Sequence, residues 1–226
     1  DGALWFTSWG RGVGRLQGND WRVFGTHNGL ASNFTRGLAN GTGNGVWVAT
    51  QNGVSYIDEN LEVVAVRQQD LPLLDDPRLI SALRLKNGTV LFGTESGRII
   101  AYDDATGGPP KVAPVEPQRW SVFLEPPLGD GSVWSISQLR DGSIWAACGP
   151  TGLQVYANGT WTHLLPGRDL VTPQLKSVFE ARDGAVWVAG GGVPSYRDAT
   201  GWHAADTMTN SPSDTDASWV TGTPDG

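Results

Sequence analysis

Short apolar runs separated by glycine-rich turns follow one another along the whole chain. In the first stretch the runs are residues 4–7, 13–16, 21–24 and 34–39, and glycine and Asx residues fill the gaps between them. Apolar runs of this length, bounded by such turn residues, are typical of β-strands. The pattern therefore predicts four short strands in each segment of the chain, joined by turns.

The same pattern repeats at near-constant spacing. An Asp-Gly or Asn-Gly dipeptide precedes a large apolar residue in each segment, and we call that residue the key position. The key positions are Trp5, Trp47, Leu91, Trp145 and Trp187, spaced by 42, 44, 54 and 42 residues, and a sixth dipeptide, Asp225-Gly226, ends the sequence. A period in the forties is typical of an all-β array in which each repeat is one small sheet.

Small four-stranded sheets cannot bury both faces alone, but sheets arranged radially pack on two neighbours. The sequence therefore predicts an all-β, five-bladed β-propeller of four-stranded antiparallel blades, a single domain over residues 1–226. Its repeats are about 1–43, 44–86, 87–140, 141–182 and 183–226. The chain opens with three strands of a blade, and residues 218–226 are predicted to be the missing strand, so that the C-terminal strand joins the N-terminal blade. The alternative is an open or partial arc of a larger propeller.

Two further features bear on the fold. The third repeat carries a Pro-rich insertion at residues 107–129, which cannot extend a central strand and is interpreted as a decorated loop, a stiff edge or a flap over one face. The key tryptophans are expected to pack between sheets, so truncating Trp145 or Trp187 to alanine should cost about 3–5 kcal/mol.

Composition excludes several classes of function. The net charge is -7 and no Lys/Arg cluster is present, which argues against nucleic acid, whose phosphates require a basic face. The apolar runs are too short for membrane insertion of this domain. The only cysteine, Cys148, cannot form an intrachain disulfide and is expected to be a buried strand thiol. We expect a monomer.

Four stretches carry a resemblance to a known family. They are residues 1–8 (Asp-Gly-Ala-Leu-Trp-Phe-Thr-Ser), 19–24 (Asn-Asp-Trp-Arg-Val-Phe), 28–33 (Asn-Gly-Leu-Ala-Ser-Asn) and 45–54 (Gly-Val-Trp-Val-Ala-Thr-Gln-Asn-Gly-Val). Together they resemble the two-component regulator propeller repeat, closely in repeats one, two, four and five and loosely in repeat three. The glycine of that family's Phe-Gly-Thr element is kept only at Gly93.

The resemblance implies a function and a compartment. Members of the family are bacterial and often form extracytoplasmic sensor domains that bind a ligand and precede a transmembrane signalling module. The chain starts inside a repeat, with no initiator Met and no signal peptide, so it looks like an excised domain. We expect a periplasmic or extracellular location, although the N-terminus itself does not reveal the compartment.

By analogy, propellers bind ligands at one mouth of a central channel, where the turns after each first strand meet the loops that enter the innermost strands. The position eleven residues before each key position holds Arg36, Ile80, Trp134, Lys176 and Ser218. The predicted ligand-binding residues are Arg36, Trp134, Lys176, Arg11, Trp9, Arg78, Gln51 and Glu95. An Arg, a Trp and a Lys at one mouth suit an anion or a sugar, and the alternative is solvated rim charge and packing.

Three classes of function remain open. The first is a non-catalytic ligand-sensing domain for an unknown small molecule or glycan, and the second is a carbohydrate-binding or protein-interaction scaffold. The third is a lyase, because seven-bladed streptogramin lyases are distantly similar. Only His27, His163 and His203 are present, and no two share metal-ligand spacing. We therefore predict no catalytic residues, no metal and no cofactor, with His163 and His203 on the outer rim.

Overall fold

The computed structural model describes residues 2–71, 73, 75–105, 116–125, 131–170 and 172–205. These residues form antiparallel sheets and two single-turn 3-10 segments, Thr26–Asn28 and Pro117–Arg119. The all-β prediction is confirmed. The chain divides into two compact units, Asp1–Glu125 (unit 1) and Pro126–Gly226 (unit 2).

The described residues of unit 1 form three sheets, and the strands in each sheet follow chain order. Sheet 1 has three strands and sheets 2 and 3 have four each, and all neighbouring strands are antiparallel. The strands of sheet 1 are β1 (Leu4–Ser8), β2 (Gly12–Gln17) and β3 (Asp20–Phe24). Those of sheet 2 are β4 (Thr35–Asn40), β5 (Val46–Thr50), β6 (Gly53–Ile57) and β7 (Val63–Val66). Those of sheet 3 are β8 (Leu79–Arg84), β9 (Thr89–Thr94), β10 (Ile99–Asp103) and β11 (Trp120–Leu124).

The described residues of unit 2 form two four-stranded antiparallel sheets of the same order. Sheet 4 contains β12 (Ser135–Gln138), β13 (Ile144–Ala147), β14 (Leu153–Ala157) and β15 (Thr160–Leu164). Sheet 5 contains β16 (Gln174–Glu180), β17 (Val186–Gly191), β18 (Ser195–Asp198) and β19 (Gly201–Ala204).

The recurring dipeptides form the turns that lead from each innermost strand to the next strand. The Oδ1 atom of Asp141 accepts a hydrogen bond from the Ser143 N–H at 2.9 Å, and Gly142 has a φ of 89°. An Asx side chain that caps its own turn, followed by a glycine at positive φ, is a strong turn signal. The same hydrogen bond forms at Asn87 and Asp183, so the repeat seen in the sequence has a local physical cause.

Each sheet has two different faces. The tryptophan face carries the key position, and the aliphatic face carries the residues on either side of it, because side chains alternate along a strand. In unit 1 the tryptophan face of sheet 1 packs on Val46 and Val48 of sheet 2. In unit 2 the face that carries Trp145 packs on Val186 and Val188 of sheet 5. Trp faces therefore cover aliphatic faces within both units.

The tryptophan face of sheet 2 forms the aromatic core of unit 1. Trp47 contacts four other rings, with centroids 4.9 Å away for Tyr56, 5.6 Å for Phe92, 4.8 Å for Tyr102 and 6.5 Å for Trp120. Trp120 closes the cluster, 4.7 Å from Tyr102. Burial raises the pKa of Tyr102 to about 12. Such rings bury large apolar areas, so this cluster is expected to contribute much of the stability of unit 1.

Part of the Pro-rich insertion is an edge strand. Residues Trp120–Leu124 form β11, which pairs with β10 at the edge of sheet 3, and the buried Trp120 ring anchors it in the aromatic core. The rest of the segment, apart from residues 116–119 and 125, lies outside the described residues, as do residues 206–226 with the predicted closing strand.

Candidate functional site

A β-bulge marks the position eleven residues before the key position in three innermost strands. The register of β4 against β5 shifts between Thr35 and Gly37 and skips Arg36. The ladders of β8 and β16 skip Ile80 and Lys176 in the same way. A bulge bends the strand and re-aims the side chain of the extra residue. The predicted ligand-facing position is therefore a backbone irregularity that the repeat conserves within this chain.

The turn edge of unit 1 consists of the turns after β1, β5 and β9 and the segments that enter β4 and β8. There, Trp9 and Phe34 form an isolated antiparallel bridge, and their rings meet edge-on with centroids 4.9 Å apart. The Arg36 guanidinium carbon lies 4.4 Å from the centroid of the Trp9 ring. Trp9 is 53% exposed and Phe34 41%. This edge presents two exposed rings with a cation over one of them, which we call the Trp9 platform.

The hydroxyl of Thr35 holds the Trp9 platform together. The Thr35 side chain is buried, and its Oγ1 donates to the Gly12 carbonyl at 2.7 Å while it accepts the Ser8 N–H at 3.2 Å. These bonds tie the first residue of β4 to both ends of the turn that carries Trp9. A contact fixed in this way loses less conformational freedom when a ligand binds.

Arg78 belongs to an ion-pair cluster at the same edge. Its guanidinium lies 2.9 Å from Asp76 Oδ1 and 2.7 Å from Glu95 Oε2. Burial by itself would raise the pKa of Asp76, but hydrogen bonds from Arg78 and from Ser96 lower it below the usual range. Because two carboxylates flank Arg78, its charge is compensated locally, and it is a weaker anion site than the sequence suggests.

The other predicted residues of unit 1 also lie on the turn edge. The Gln51 N–H donates to the Phe34 carbonyl at 2.9 Å, which places Gln51 beside the Trp9 platform. Arg11 is exposed in the same turn as Trp9. Ile80 is buried, so this position, expected at the mouth, offers no polar group to a ligand.

Unit 2 has its own cation and indole. The backbone N–H of Trp134 donates to the Ala147 carbonyl at 2.9 Å, and Ser135 pairs with the same residue, Ala147. Trp134 and Ser135 therefore both lie opposite Ala147, as two residues lie opposite one in a β-bulge. The Lys176 Nζ lies 5.7 Å from the centroid of the Trp134 ring. Gly149, four residues after the key position, lies directly beneath that ring: a Cβ atom added to it would be 3.3 Å from Trp134 Nε1.

The structure therefore brings the predicted residues together in subsets. Trp9 meets Arg36, Arg78 meets Glu95, and Trp134 meets Lys176. A single site that combines Arg36 with Trp134 and Lys176 stays a prediction, because these residues fall in separately described units. Ser218 lies outside the described residues.

The described contacts of His203 differ from those of a catalytic relay. His203 Nε2 lies 2.8 Å from the Thr200 hydroxyl and 3.0 Å from Asp198 Oδ1. A relay needs the carboxylate on one ring nitrogen and the hydroxyl on the other, whereas here both partners share one nitrogen. His163, expected on the outer rim, contacts the Thr151 carbonyl in the turn after β13.

The described residues also bear on metal binding and on membrane-spanning helices. Within the described ranges, no group of three or more His, Cys, Asp and Glu side chains is placed to hold a metal ion. No helix in the described part of the chain has the length and apolarity needed to cross a membrane.

Comparison with known proteins identifies the fold. No protein-family model and no curated protein sequence matches the chain. Among solved structures, the chain is similar to the extracellular domain of BT3049, described as a hybrid two-component system of B. thetaiotaomicron. The TM-score is 0.78 at 17% identity, over 100% of this chain and 30% of that one. The extracellular domain of BT4673 from the same organism, described as a one-component system, gives 0.65 and 20%, over 83% of this chain and 24% of that one.

A third similar structure is a catalytically inactive virginiamycin B lyase from Staphylococcus aureus with quinupristin. Its TM-score is 0.66 at 15% identity, over 88% of this chain and 64% of that one. At such identities the likeness shows the fold, which is of the β-propeller type expected from the sequence resemblance. The chain spans only 30% and 24% of the two extracellular domains.

Several residues of the turn edge are not among those predicted from the sequence. Phe34 and Thr35 were interpreted only as strand residues, although one supplies a ring of the Trp9 platform and the other holds it in place. The pairing of Arg78 with Asp76 was also missed, although an Asp two residues before an Arg at a strand entry is a usable signal. The bulge itself leaves no mark in the residue pattern.

Proposed function

We propose that the chain is a non-catalytic ligand-recognition domain of a bacterial signalling protein, and that it binds its ligand on the turn edge. The observation that carries the proposal is the Trp9 platform, in which two exposed rings and Arg36 lie within contact distance of one another. Large aromatic side chains left exposed beside a fixed cation are a costly arrangement for a surface with no ligand.

The chemistry of the platform supports a small molecule or glycan with an apolar face and an acceptor group. A ring or a sugar face that stacks on Trp9 removes apolar area from water, and the Arg36 guanidinium, whose face lies on the indole, supplies a positive charge beside it. Trp134 and Lys176 repeat the combination in unit 2. A protein partner that inserts a side chain between the rings is the alternative occupant.

The proposal also covers the compartment and the mode of action. The similar structures BT3049 and BT4673 are extracellular domains, which supports a periplasmic or extracellular location for this chain. Recognition rather than turnover is part of the proposal, because the Trp9 platform offers contacts to a ligand. A lyase remains the less favoured alternative.

The closed five-bladed ring stays a prediction. The described residues supply five sheets, and sheet 1 has three strands where each of the others has four. Completion of sheet 1 by residues 218–226 would account for that difference, and an arc of a larger propeller is the other arrangement consistent with it. Deletion of residues 206–226 separates the two, because only in the closed ring does it expose the edge of β1.

The function is tested by an indole NMR titration. The chain contains 11 tryptophans, and 15N labelling gives each indole N–H its own resonance. The probes are maltohexaose, xylohexaose, a heparin-derived hexasaccharide and inorganic phosphate. We expect at least one probe to shift the Trp9 or Trp134 resonance and to leave Trp21 unchanged, Trp21 being an equally exposed indole away from the turn edge.

Four variants complete the test. The variants are Arg36→Ala, Trp9→Ala, Trp134→Ala and Lys176→Ala, and each is expected to fold. In at least one of the two pairs, Arg36 with Trp9 or Lys176 with Trp134, the variants are expected to lose about tenfold or more in affinity, the usual cost of removing a central contact. Unchanged affinity in all four variants, for a probe that binds the wild-type chain, would contradict the proposal.

A further inference from the structure

The turn edge of unit 1 carries three arginines in different electrostatic settings. Arg78 lies between two carboxylates that compensate its charge. The Arg36 guanidinium carbon lies 4.4 Å from the centroid of the Trp9 ring. Arg11 is exposed in the turn that carries Trp9, and none of the ion pairs among the described residues involves it. A second cation therefore lies two residues from the indole of the Trp9 platform, without a carboxylate of the described chain to neutralise it.

The Arg11 side chain has no part in holding its turn, in contrast to its counterpart in unit 2. Arg11 and Thr151 each lie six residues after the key position of their sheet. The Thr151 hydroxyl donates to the Cys148 carbonyl at 2.7 Å and so closes its own turn. The turn of Arg11 is closed by the backbone instead, because the Arg11 N–H donates to the Ser8 carbonyl at 3.4 Å. The guanidinium is not needed for that contact.

The turn that carries Arg11 is held in place on both sides. Gly12 has a φ of 83°, and a Cβ atom there would clash with the Phe24 carbonyl oxygen, so the turn backbone packs directly on the end of β3. The Gly12 N–H donates to the Asn33 carbonyl at 2.8 Å. The backbone positions of Arg11 and Trp9 are therefore fixed relative to each other, which lowers the conformational freedom lost when both contact one ligand.

We propose that the ligand of the Trp9 platform is an anion that carries its charge on a ring with an apolar face, a proposal that rests on the proposed function. The ring packs on the exposed parts of Trp9 and Phe34, and Arg11 binds the carboxylate or sulfate group. A guanidinium can form two parallel charge-assisted hydrogen bonds to such a group. A neutral ligand would take water from Arg11 and Arg36 without supplying a counter-charge, which costs free energy.

The charge of the whole chain makes this selection local. The net charge is -7, so the chain as a whole does not attract anions from a distance. Salt screens exposed charges over about 8 Å at physiological ionic strength. Arg11 and Arg36 therefore dominate the potential that a ligand meets at the platform itself, and the preference for an anion belongs to this edge.

Matched pairs of an acid and its ester test the charge of the ligand. An acidic oligosaccharide and a small aromatic acid share the proposed chemistry, so the probes are hexagalacturonate with its methyl ester and para-hydroxybenzoate with its methyl ester. Each is titrated into the 226-residue chain while the Trp9 indole resonance is followed. In at least one pair the acid is expected to shift Trp9 and to bind about tenfold or more tightly than its ester. The pair that does so identifies the source of the ligand.

Arg11 variants test the contact. Arg11→Gln is expected to lower the affinity for that acid by about fivefold to tenfold and to leave the affinity for the ester unchanged. Arg11→Lys keeps the charge without the planar fork and is expected to recover part of the loss. The matched control is Arg22→Gln, because Arg22 is also exposed but lies on β3 and pairs with Asp20 at 3.0 Å. It is expected to bind as wild type.

The outcomes separate this proposal from the proposed function. Equal affinities of acid and ester, or equal effects of Arg11→Gln and Arg22→Gln, overturn the anion proposal alone when binding still shifts Trp9. Binding of maltohexaose or xylohexaose at Trp9 without binding of either acid does the same. If no probe shifts Trp9 the anion proposal fails, and if none shifts Trp134 either, the proposed function fails with it.

Discussion

The two units build a cation-on-indole pair from different residues. In unit 1 the indole is Trp9, which comes from the turn after β1, and Arg36 lies over it at 4.4 Å. In unit 2 the indole is Trp134, which comes from the entry to β12, and Lys176 lies over it at 5.7 Å. The cation occupies the bulge of an innermost strand in both units. The bulge is the constant element, and the source of the aromatic ring is the variable one.

A glycine in unit 2 explains how Trp134 can supply the indole that Trp9 supplies in unit 1. Trp9 lies four residues after Trp5, and Gly149 lies four residues after Trp145. With no side chain at Gly149, the Trp134 ring can lie above the turn backbone. The comparison teaches that a repeat can keep a cation-on-indole pair while the residue that supplies the ring comes from a different segment.

The cores of the two units differ as well. Unit 1 contains a cluster of four aromatic residues around Trp47, which is buried, whereas Trp187 in unit 2 is half-buried. Trp47→Ala is expected to lower the free energy of unfolding by about 3–5 kcal/mol, the usual cost of truncating a buried aromatic residue. Trp187→Ala is expected to cost less than about half of that, which is below the sequence expectation. Chemical denaturation of both variants measures the difference, and equal losses would remove the contrast.

Alkaline pH tests the burial of Tyr102 in the aromatic core of unit 1. Burial raises the pKa of Tyr102 from 10.0 to about 12, so the folded chain holds this proton more tightly than the unfolded chain. Below pH 10, Tyr102 is protonated in both the folded and the unfolded chain, so its contribution to the free energy of unfolding does not change with pH. Between pH 10 and 12 the unfolded state ionises first, so stability falls, by up to about 2–3 kcal/mol. Tyr102→Phe is expected to remove this part of the slope, and denaturation midpoints from pH 9 to 12 measure it.

Gly149 is the next place to break the comparison. Gly149 has a φ of 59°, and a Cβ there presses on Trp134, so Gly149→Ala is expected to cost about 1–2 kcal/mol and to displace the indole from Lys176. The control is Gly142→Ala, which has a φ of 89° but open space around the added carbon. Its loss of stability should be similar, but the Trp134 indole resonance should move only in Gly149→Ala. If the Trp134 indole resonance were the same in Gly149→Ala and Gly142→Ala, the Trp134 ring would not depend on the absence of a side chain at Gly149.

The smallest expected effect is the coupling within each pair. A double-mutant cycle of Arg36→Ala with Trp9→Ala is expected to give a coupling energy of about 0.5–1 kcal/mol, as for exposed cation–π pairs. The cycle of Lys176→Ala with Trp134→Ala is expected to give less, because the separation is larger. Coupling that is zero in unit 1 and finite in unit 2 would reverse the ranking.

Much of the fold follows from the sequence because the repeat is built from strong local signals. Asp141 and Gly142 encode a turn by hydrogen bonding and positive φ, and Trp47 and Trp145 encode the packed face by size. Such signals act within a few residues of themselves. The all-β class and the position of most strands could therefore be predicted from residue patterns alone.

The candidate site could be predicted only in outline. The sequence places Arg36 and Trp9 on the same edge, but the contact between them depends on a bulge and on the buried hydroxyl of Thr35. Neither has a distinct residue pattern, because a threonine at a strand start is common and a bulge depends on the partner strand. The pairing of Arg78 with Glu95 depends likewise on a turn from another part of the chain, whereas Asp76 lies two residues away in the same segment.

The central claim is that the Trp9 platform is a ligand site rather than a packed rim. The most direct measurement is the dissociation constant of the first oligosaccharide or phosphate probe that binds, compared between Trp9→Ala and Trp21→Ala by calorimetry. The two indoles are almost equally exposed, so general surface effects cancel. The account predicts a loss of about tenfold or more for Trp9→Ala and less than about twofold for Trp21→Ala. Equal affinities of the two variants for a probe that binds the wild-type chain would contradict it.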